Sequence, residues 1–478
     1  MTGLHGCKWV ILLLCAASAA SAESQTFSSL RSLDGPHGAT PYYVSLVQGR
    51  DGSFYGTTAF GGEPEGNQPS GFGTIFKITP SGSFRTVYNF CTQPDCADGA
   101  EPYAGLVLGG DGNLYGTTLS GGAYGGGTVF KIDRKGTLTT LHSFERLNNE
   151  GGTGSWGALV QGTDGNLYGT TRGGGTSAGT VFKITREGVF TTLHTFSDTD
   201  GSWPRAALVQ GTDGNFYGTT QNGGFNNAGT VFKIAPEGKL TTLYVFQGFP
   251  HGSDGADPVA PLVQSSDGSF YGTTESGGTY GLGTIFKISS AGSLTTIHMF
   301  GDGLGSDPTA PLVQGTDGNF YGTTQEEFGV NAFGTLFKIT PEGTLTTLYA
   351  FDGTQGQFPA GGLLQGTNGI FYGTTSGGGN FECNPPSGCG TLFSLDVGLG
   401  PFVTFVRAAG RVGQTGGVLG QGFTGTTEVS LNGTAAEFTV VSDTYIRATV
   451  PAGATSGFVA VTTPTGVLNS SVPFHVIP

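Results

Sequence analysis

Along most of the chain, apolar and polar residues alternate in short runs broken by glycine-rich turns. Around Tyr168 four such runs follow one another, at 158–161, 167–171, 179–184 and 189–196. Alternation with a period of two over four to eight residues marks a half-buried β-strand. The first two runs are joined by Thr163-Asp164-Gly165-Asn166 and the last two by Arg186-Glu187-Gly188. Asp-Gly between apolar runs predicts a tight hairpin, because a type I′ turn needs positive φ at both central residues. We label the four predicted strands a to d.

The unit recurs. Its anchor, Tyr-Gly-Thr-Thr, starts at Tyr55, Tyr115, Tyr168, Tyr217, Tyr271, Tyr321 and Tyr372. Six repeats carry the Asp-Gly turn, at Asp51, Asp111, Asp164, Asp213, Asp267 and Asp317, and the seventh has Asn368-Gly369. Four antiparallel strands repeated at about 50 residues are the signature of a β-propeller blade. The seventh repeat ends after strand c, while residues 26–33 match strand d (the L-T-T-L-x-x-F pattern). The N-terminal strand is therefore expected to complete the last blade and close a seven-bladed, all-β ring, leaving no long unpaired edge.

The combination D-G-N-x-Y-G-T-T, G-G, G-T-[VIL]-F-K-I and L-T-T-L-x-x-F resembles the bacterial tandem repeats called GloVer, over residues 26 to 396. It is also similar to the D-G-x-x-W-x-G-T propeller repeats of bacterial sensor proteins. The resemblance implies a propeller in an exported protein and carries no assigned activity. After Gly398 the pattern changes. Val418 to Phe423, Val429 to Ala436, Ser442 to Ile446 and Val450-Pro451 closely resemble an IPT/TIG domain, an immunoglobulin-like sandwich. Such domains act as spacers or binding modules. The expected division is a signal peptide at 1–22, a propeller at 23–397 and an IPT/TIG-like domain at 400–478.

The leader reading rests on Lys8, the apolar run from Trp9 to Ala17, and Ala20-Ser21-Ala22 before Glu23. That run is too short to span a membrane. With no anchor motif found, a secreted, extracellular or cell-surface location is expected, as is a monomer. Four cysteines follow the leader. Their spacing suggests local disulfides, Cys91–Cys96 and Cys383–Cys389, rather than a zinc site. A formal net charge of −14, one unit more negative without Lys8, argues against nucleic acid as a partner.

Chemistry is expected on one face. The a–b and c–d turns are nearly uniform, whereas the b–c and d–a loops vary in length and content, and function in repeat folds concentrates on the variable loops. Three residues before the first Leu of strand a stand Tyr43, Tyr103, Trp156, Arg205, Val259, Thr309 and Ala360, with Trp203 nearby. Aromatic planes beside polar donors suit sugar recognition; large aromatics also fill gaps between blades. The loops are acidic as well. Asp198-x-Asp200-Gly201 is a fragment of a calcium loop, and Asp257 and Asp307 each precede Pro. Asp before Gly or Pro is equally plain turn chemistry.

The histidines form no catalytic set. His142, His194 and His298 share a strand-d slot held by Tyr88, Tyr244 and Tyr349 in other repeats, a packing position with a polar tip. The Thr-Thr hydroxyls are expected to bond within the blade. The reading is an exported, non-enzymatic binding or adhesion protein engaging an extracellular glycan or a surface partner. The alternatives are a metal-assisted polysaccharide lyase or hydrolase at the channel mouth, or a purely structural surface component.

Overall fold

The computed structural model describes residues 25–62, 71–146, 153–174, 178–248, 252–301, 303, 305–326 and 333–477. The expected leader, residues 1–22, lies outside them. The described residues are almost wholly β, with one short 3₁₀ turn at Pro94–Cys96. No helix among them is long and apolar enough to cross a membrane.

From Thr26 to Asp396 the strands form seven four-stranded antiparallel sheets, a propeller-like repeat. The third sheet runs Val160–Gln161, Leu167–Thr171, Thr180–Ile184, Phe190–Thr195, in the order a-b-c-d. Strand a is two residues long, shorter than its alternation predicts. Its first positions face the central cavity described below and are taken by Pro261 and Pro311 in two sheets, where no ladder N–H is available. The last sheet is ordered Thr26–Ser32, Thr391–Asp396, Phe371–Thr375, Leu364–Gln365. The N-terminal strand thus lies beside the last strand c, with Thr26 opposite Asp396 and Ser32 opposite Thr391.

Each letter of the repeated motif has a physical task. The Tyr hydroxyl donates to the turn carboxylate four residues earlier, as in Tyr217 to Asp213 at 2.8 Å, while Asp213 also accepts from the Asn215 amide. The Gly must lack a side chain, since a Cβ on Gly169 would meet the Phe182 ring at 2.6 Å. The second Thr faces its strand-c counterpart, as Thr171 faces Thr180 at 2.7 Å. The first Thr behaves differently from expectation. Thr170 donates to the Ala206 carbonyl of the next sheet, as Thr57 does to Ala104 and Thr374 to Val44. The sheet surfaces meet closely enough there for a short hydroxyl to reach across.

The strand-a glutamines make a second set of links between sheets. The Gln210 amide oxygen accepts from the Thr163 N–H, that of Gln365 from Thr316, and that of Gln48 from Thr367. Apolar stacking follows the same order, with Tyr168 on Phe216 and Tyr372 on Phe54.

A bulge in strand d, where Val181 pairs with His194 and Phe182 with Thr192, turns Leu193 toward the neighbouring sheet. The slot residue beside it meets a loop carboxylate. Tyr88 donates to Asp98 and Tyr244 to Asp254, both at 2.8 Å, and His194 lies 3.0 Å from Asp200. In these three repeats the polar tip of the slot anchors the d–a loop.

The C-terminal part holds two four-stranded sheets and one short parallel pair. Val403, Phe423, Ile446 and Val461 are wholly buried in its core. It contacts the turn side of the first repeats: the Thr444 hydroxyl donates to the Arg50 carbonyl, and the Arg50 guanidinium lies 4.7 Å from the Tyr445 ring centroid. Disulfides join Cys91 to Cys96 and Cys383 to Cys389.

Candidate functional site

The d–a loop of each sheet is pinned to its b–c loop by one isolated bridge, such as Ser202 to Asn222 and Ser306 to Glu326. The residue after each bridge has positive φ: Thr40, Glu101, Gly154, Trp203, Asp257, Asp307 and Phe358, between +53° and +65°. Left-handed backbone at a residue other than glycine costs on the order of 1 kcal/mol. Only one of the seven positions uses glycine. The frame fixes both sides of each residue, as when Trp203 N–H donates to Ala178 and its carbonyl accepts from Gln221. Strained positions that keep differing side chains are the expected mark of a site.

Inside this ring, the column predicted from the sequence meets at one place. Tyr43, Trp156, Arg205, Val259, Thr309 and Ala360 line a single cavity of about 190 Å³, to which all seven repeats contribute. Tyr103 packs on Trp156 with ring centroids 5.0 Å apart, and Trp156 lies 6.1 Å from Tyr43. The Arg205 guanidinium sits 4.5 Å from the Trp156 ring and donates to the Tyr43 hydroxyl at 3.1 Å. Arg172, just after a Tyr-Gly-Thr-Thr anchor, stacks between Trp203 at 4.5 Å and Trp156 at 5.5 Å. The aromatics are thus both partners in packing and the lining of a polar mouth. Burial raises the Tyr43 phenol, and burial with the Glu101 charge pushes Tyr103 up to about 12.

The Glu275 charge acts on Arg205 without closing an ion pair. Among the described residues neither Arg172 nor Arg205 forms a salt bridge, and Arg172 Nε is buried without a hydrogen bond. Burial and the neighbouring Arg205 charge lower the Arg172 pKa. Thr309, 3% exposed, likewise has a hydroxyl without a partner and lines the cavity.

The carboxylates gather at the adjoining repeats. Burial, together with Asp257 and Asp307, raises Glu275 against the pull of Arg205. Burial, then the Glu326 charge, pushes Asp307 up to about 6. An unfolded Asp titrates near about 3.9. The folded chain therefore holds a proton that the unfolded chain releases. That contribution is full below about pH 4, shrinks as pH rises through about 6, and is lost above it. Asp307→Asn should flatten this part of the pH–stability curve by about 1 kcal/mol or less, since solvent screens a half-exposed group. Urea midpoints between about pH 4 and 7.5 measure it.

The metal reading of the loops meets a different geometry. Asp200 is occupied by His194 and by the Ser197 N–H and hydroxyl, and the exposed Asp198 holds its loop through its carbonyl. Asp257 accepts from the Ser276 hydroxyl at 2.6 Å. Among the described residues no three His, Cys, Asp or Glu side chains converge as metal ligands.

Four exposed aromatics escaped the sequence reading. Tyr124, Phe225, Tyr280 and Phe381 stand in b–c loops, with Phe225 96% exposed. The signal was an aromatic just beyond Gly-Gly in the variable loop.

The chain is similar, at low identity, to several solved structures. One is the extracellular domain of a protein described as a hybrid two-component system from B. thetaiotaomicron. It is 11% identical with a TM-score of 0.47, covering 95% of this chain and 58% of that one. Another is a gluconolactonase from Xanthomonas campestris, 12% identical, TM-score 0.37, covering 61% and 84%. A third is a protein of unknown function from Dyadobacter fermentans, 10% identical, TM-score 0.43, covering 77% and 97%. At such values none of these likenesses says what this chain binds. No curated protein matches it. The Gloeobacter/Verrucomicrobia repeat model matches residues 18–211, 70–254 and 210–440. Those matches span most of the chain, and the protein belongs to the Gloeobacter/Verrucomicrobia repeat family, the GloVer repeats.

Proposed function

We propose that the protein is an exported, non-enzymatic binding protein whose loop face holds an acidic saccharide. In this reading the seven sheets close into a seven-bladed propeller over residues 23–397. Residues 1–22 are its export signal, and 400–478 an IPT/TIG-like module that spaces or presents it. Contacts from the seventh repeat to the first support closure: Gln48 with Thr367, Thr374 with Val44, and Tyr372 on Phe54.

One observation carries the ligand class. Arg172 and Arg205 are held among Trp156, Trp203 and Tyr43 with no ion pair, and Arg205, Trp156 and Tyr43 line the cavity. Two guanidiniums repel each other, and a buried N–H without an acceptor is costly. A sugar carboxylate entering here relieves both, while the pyranose C–H face stacks on an indole. Arg172→Gln should weaken binding of a uronic-acid oligosaccharide about tenfold and leave its neutral counterpart nearly unchanged. Calorimetric titration decides; equal losses for the two sugars would rule out the arginine as the reader of the acid.

A hydrolase or lyase is the second reading, favoured by the raised Asp307 carboxylate, since a carboxyl that keeps its proton up to about pH 6 can serve as a general acid in mildly acidic solution. Depolymerisation of an acidic polysaccharide that is lost in Asp307→Asn would select it.

A further inference from the structure

A second site lies on the opposite side of the repeats. A cleft of about 440 Å³ separates the turn side of the first three repeats from the C-terminal unit, with Arg50, Arg186, Arg407 and Arg447 among its lining residues. Arg134 stands at its edge, its guanidinium and that of Arg50 both closing on Gly112. The chain has 20 Lys and Arg against 34 Asp and Glu. Four arginines against two carboxylates, Asp111 and Asp164, around one cleft are therefore a local excess of positive charge, with Arg134 beside it.

The two carboxylates offset part of this charge, Asp111 acting on Arg50 and Arg186 and Asp164 on Arg407. Arg407 donates to the Gly162 and Thr163 carbonyls, which ties the C-terminal unit to the repeats, and Arg50 donates to the Gly110 carbonyl, which ties the first repeat to the second; all three acceptors are neutral. The two carboxylates that line the cleft are already engaged. Asp111 accepts from Tyr115 and Asn113, and Asp164 from Tyr168 and Asn166. Arg134, Arg186 and Arg447 form no hydrogen bond or ion pair among the described residues, and Arg50 Nε is buried without an acceptor. Burial, then the like charge of Arg134 and Arg447, lowers the Arg50 pKa, though Tyr445 and Asp111 oppose it; burial lowers that of Arg407 against the opposing charge of Asp164, with Arg186 adding to the fall.

Guanidinium forks converging from two units onto an open cleft match an oxyanion, which accepts several charge-assisted hydrogen bonds at once. We propose that this cleft binds a sulfate or phosphate group, free or carried as an ester on a sugar, and that the bound anion ties the C-terminal unit to the repeats. Only Arg186 and Arg447 are needed for the test, one from each unit and both exposed.

The experiment titrates the full chain at constant ionic strength with inorganic sulfate, inorganic phosphate, a sulfated sugar, a sugar phosphate and the unsubstituted sugars. Saturable binding of the anions, weakened about tenfold in Arg186→Gln and again in Arg447→Gln, is the expected result. Arg411→Gln, in the same C-terminal unit but outside the cleft, should bind as the parent does. Esters that bind more tightly than the free anions identify an ester site, and equal binding a free-anion site. Arg186→Lys keeps the charge without the fork and should fall between parent and Gln variant. No saturation by any anionic probe, or saturation unaffected by both Gln variants, overturns the proposal. Because the residues differ from those at the channel mouth, Trp156→Ala should leave this binding intact, so the two sites fail independently.

Discussion

A chain begun at Asp34, without the strand Thr26–Ser32, should melt at least about 10 °C lower than the full chain or aggregate on expression. The strand supplies a ladder of six paired residues against Thr391–Asp396. It also inserts Phe27 among Tyr349, Phe351 and Phe393, stacked on Tyr349 at 3.8 Å. Losing that ring alone costs about 2 kcal/mol for a half-buried Phe, and losing the strand about 5 kcal/mol or more. Removal also bares Thr-Leu-Phe-Ser-Leu-Asp as an unpaired apolar edge, a template for other chains. Phe27→Ala is the milder variant and should shift the midpoint by a few degrees. Size-exclusion chromatography with a thermal melt reads both. A truncated chain that stays monomeric with an unchanged midpoint would show that this strand is not what holds the last sheet.

Much of this architecture was legible because its signals are local. Alternation, Asp-Gly turns and Tyr-Gly-Thr-Thr anchors each specify a hairpin from a few neighbouring residues, and the strand-d pattern at 26–33 identified its missing partner. The aromatic column was legible too, since aligned loops place Tyr43, Tyr103, Trp156 and Arg205 at equivalent points. What those residues do to one another was not. Arg205 reaches Tyr43 across 162 positions of sequence, and no local pattern encodes that distance. The first Thr of the pair bonds the next sheet in six repeats, from Thr57 to Thr374, for the same reason. Asp200 looked like a cation ligand in one dimension and is a loop anchor in three, because the bulge in strand d aims His194 at it. The ring of left-handed residues needed backbone angles, although the prolines that follow Glu101, Trp203, Asp257 and Asp307 marked its position.

Trp156→Ala carries the largest expected effect on binding. Its indole packs on Tyr103 and lies within stacking reach of both Arg172 and Arg205, so truncation removes a sugar platform and releases two guanidiniums at once. Central aromatic anchors in pockets typically contribute 2 to 4 kcal/mol to binding, and a loss of about 3 kcal/mol is roughly a hundredfold in Kd. Fold stability should fall by less, because Trp156 is only half-buried and belongs to a loop rather than a sheet. Trp156→Phe should recover part of the affinity by restoring a ring without the full indole face. A variant on the uniform side, Tyr217→Phe, loses one hydrogen bond to Asp213 and should bind as the parent does.

Calorimetric titration of the full chain with a uronic-acid oligosaccharide, run in parallel on Trp156→Ala and Tyr217→Phe, tests the site most directly. Saturable binding by the parent and by Tyr217→Phe, with a loss of about a hundredfold in Trp156→Ala, is the expected result. Undiminished binding in Trp156→Ala would contradict it, and so would no binding by the parent to any acidic saccharide.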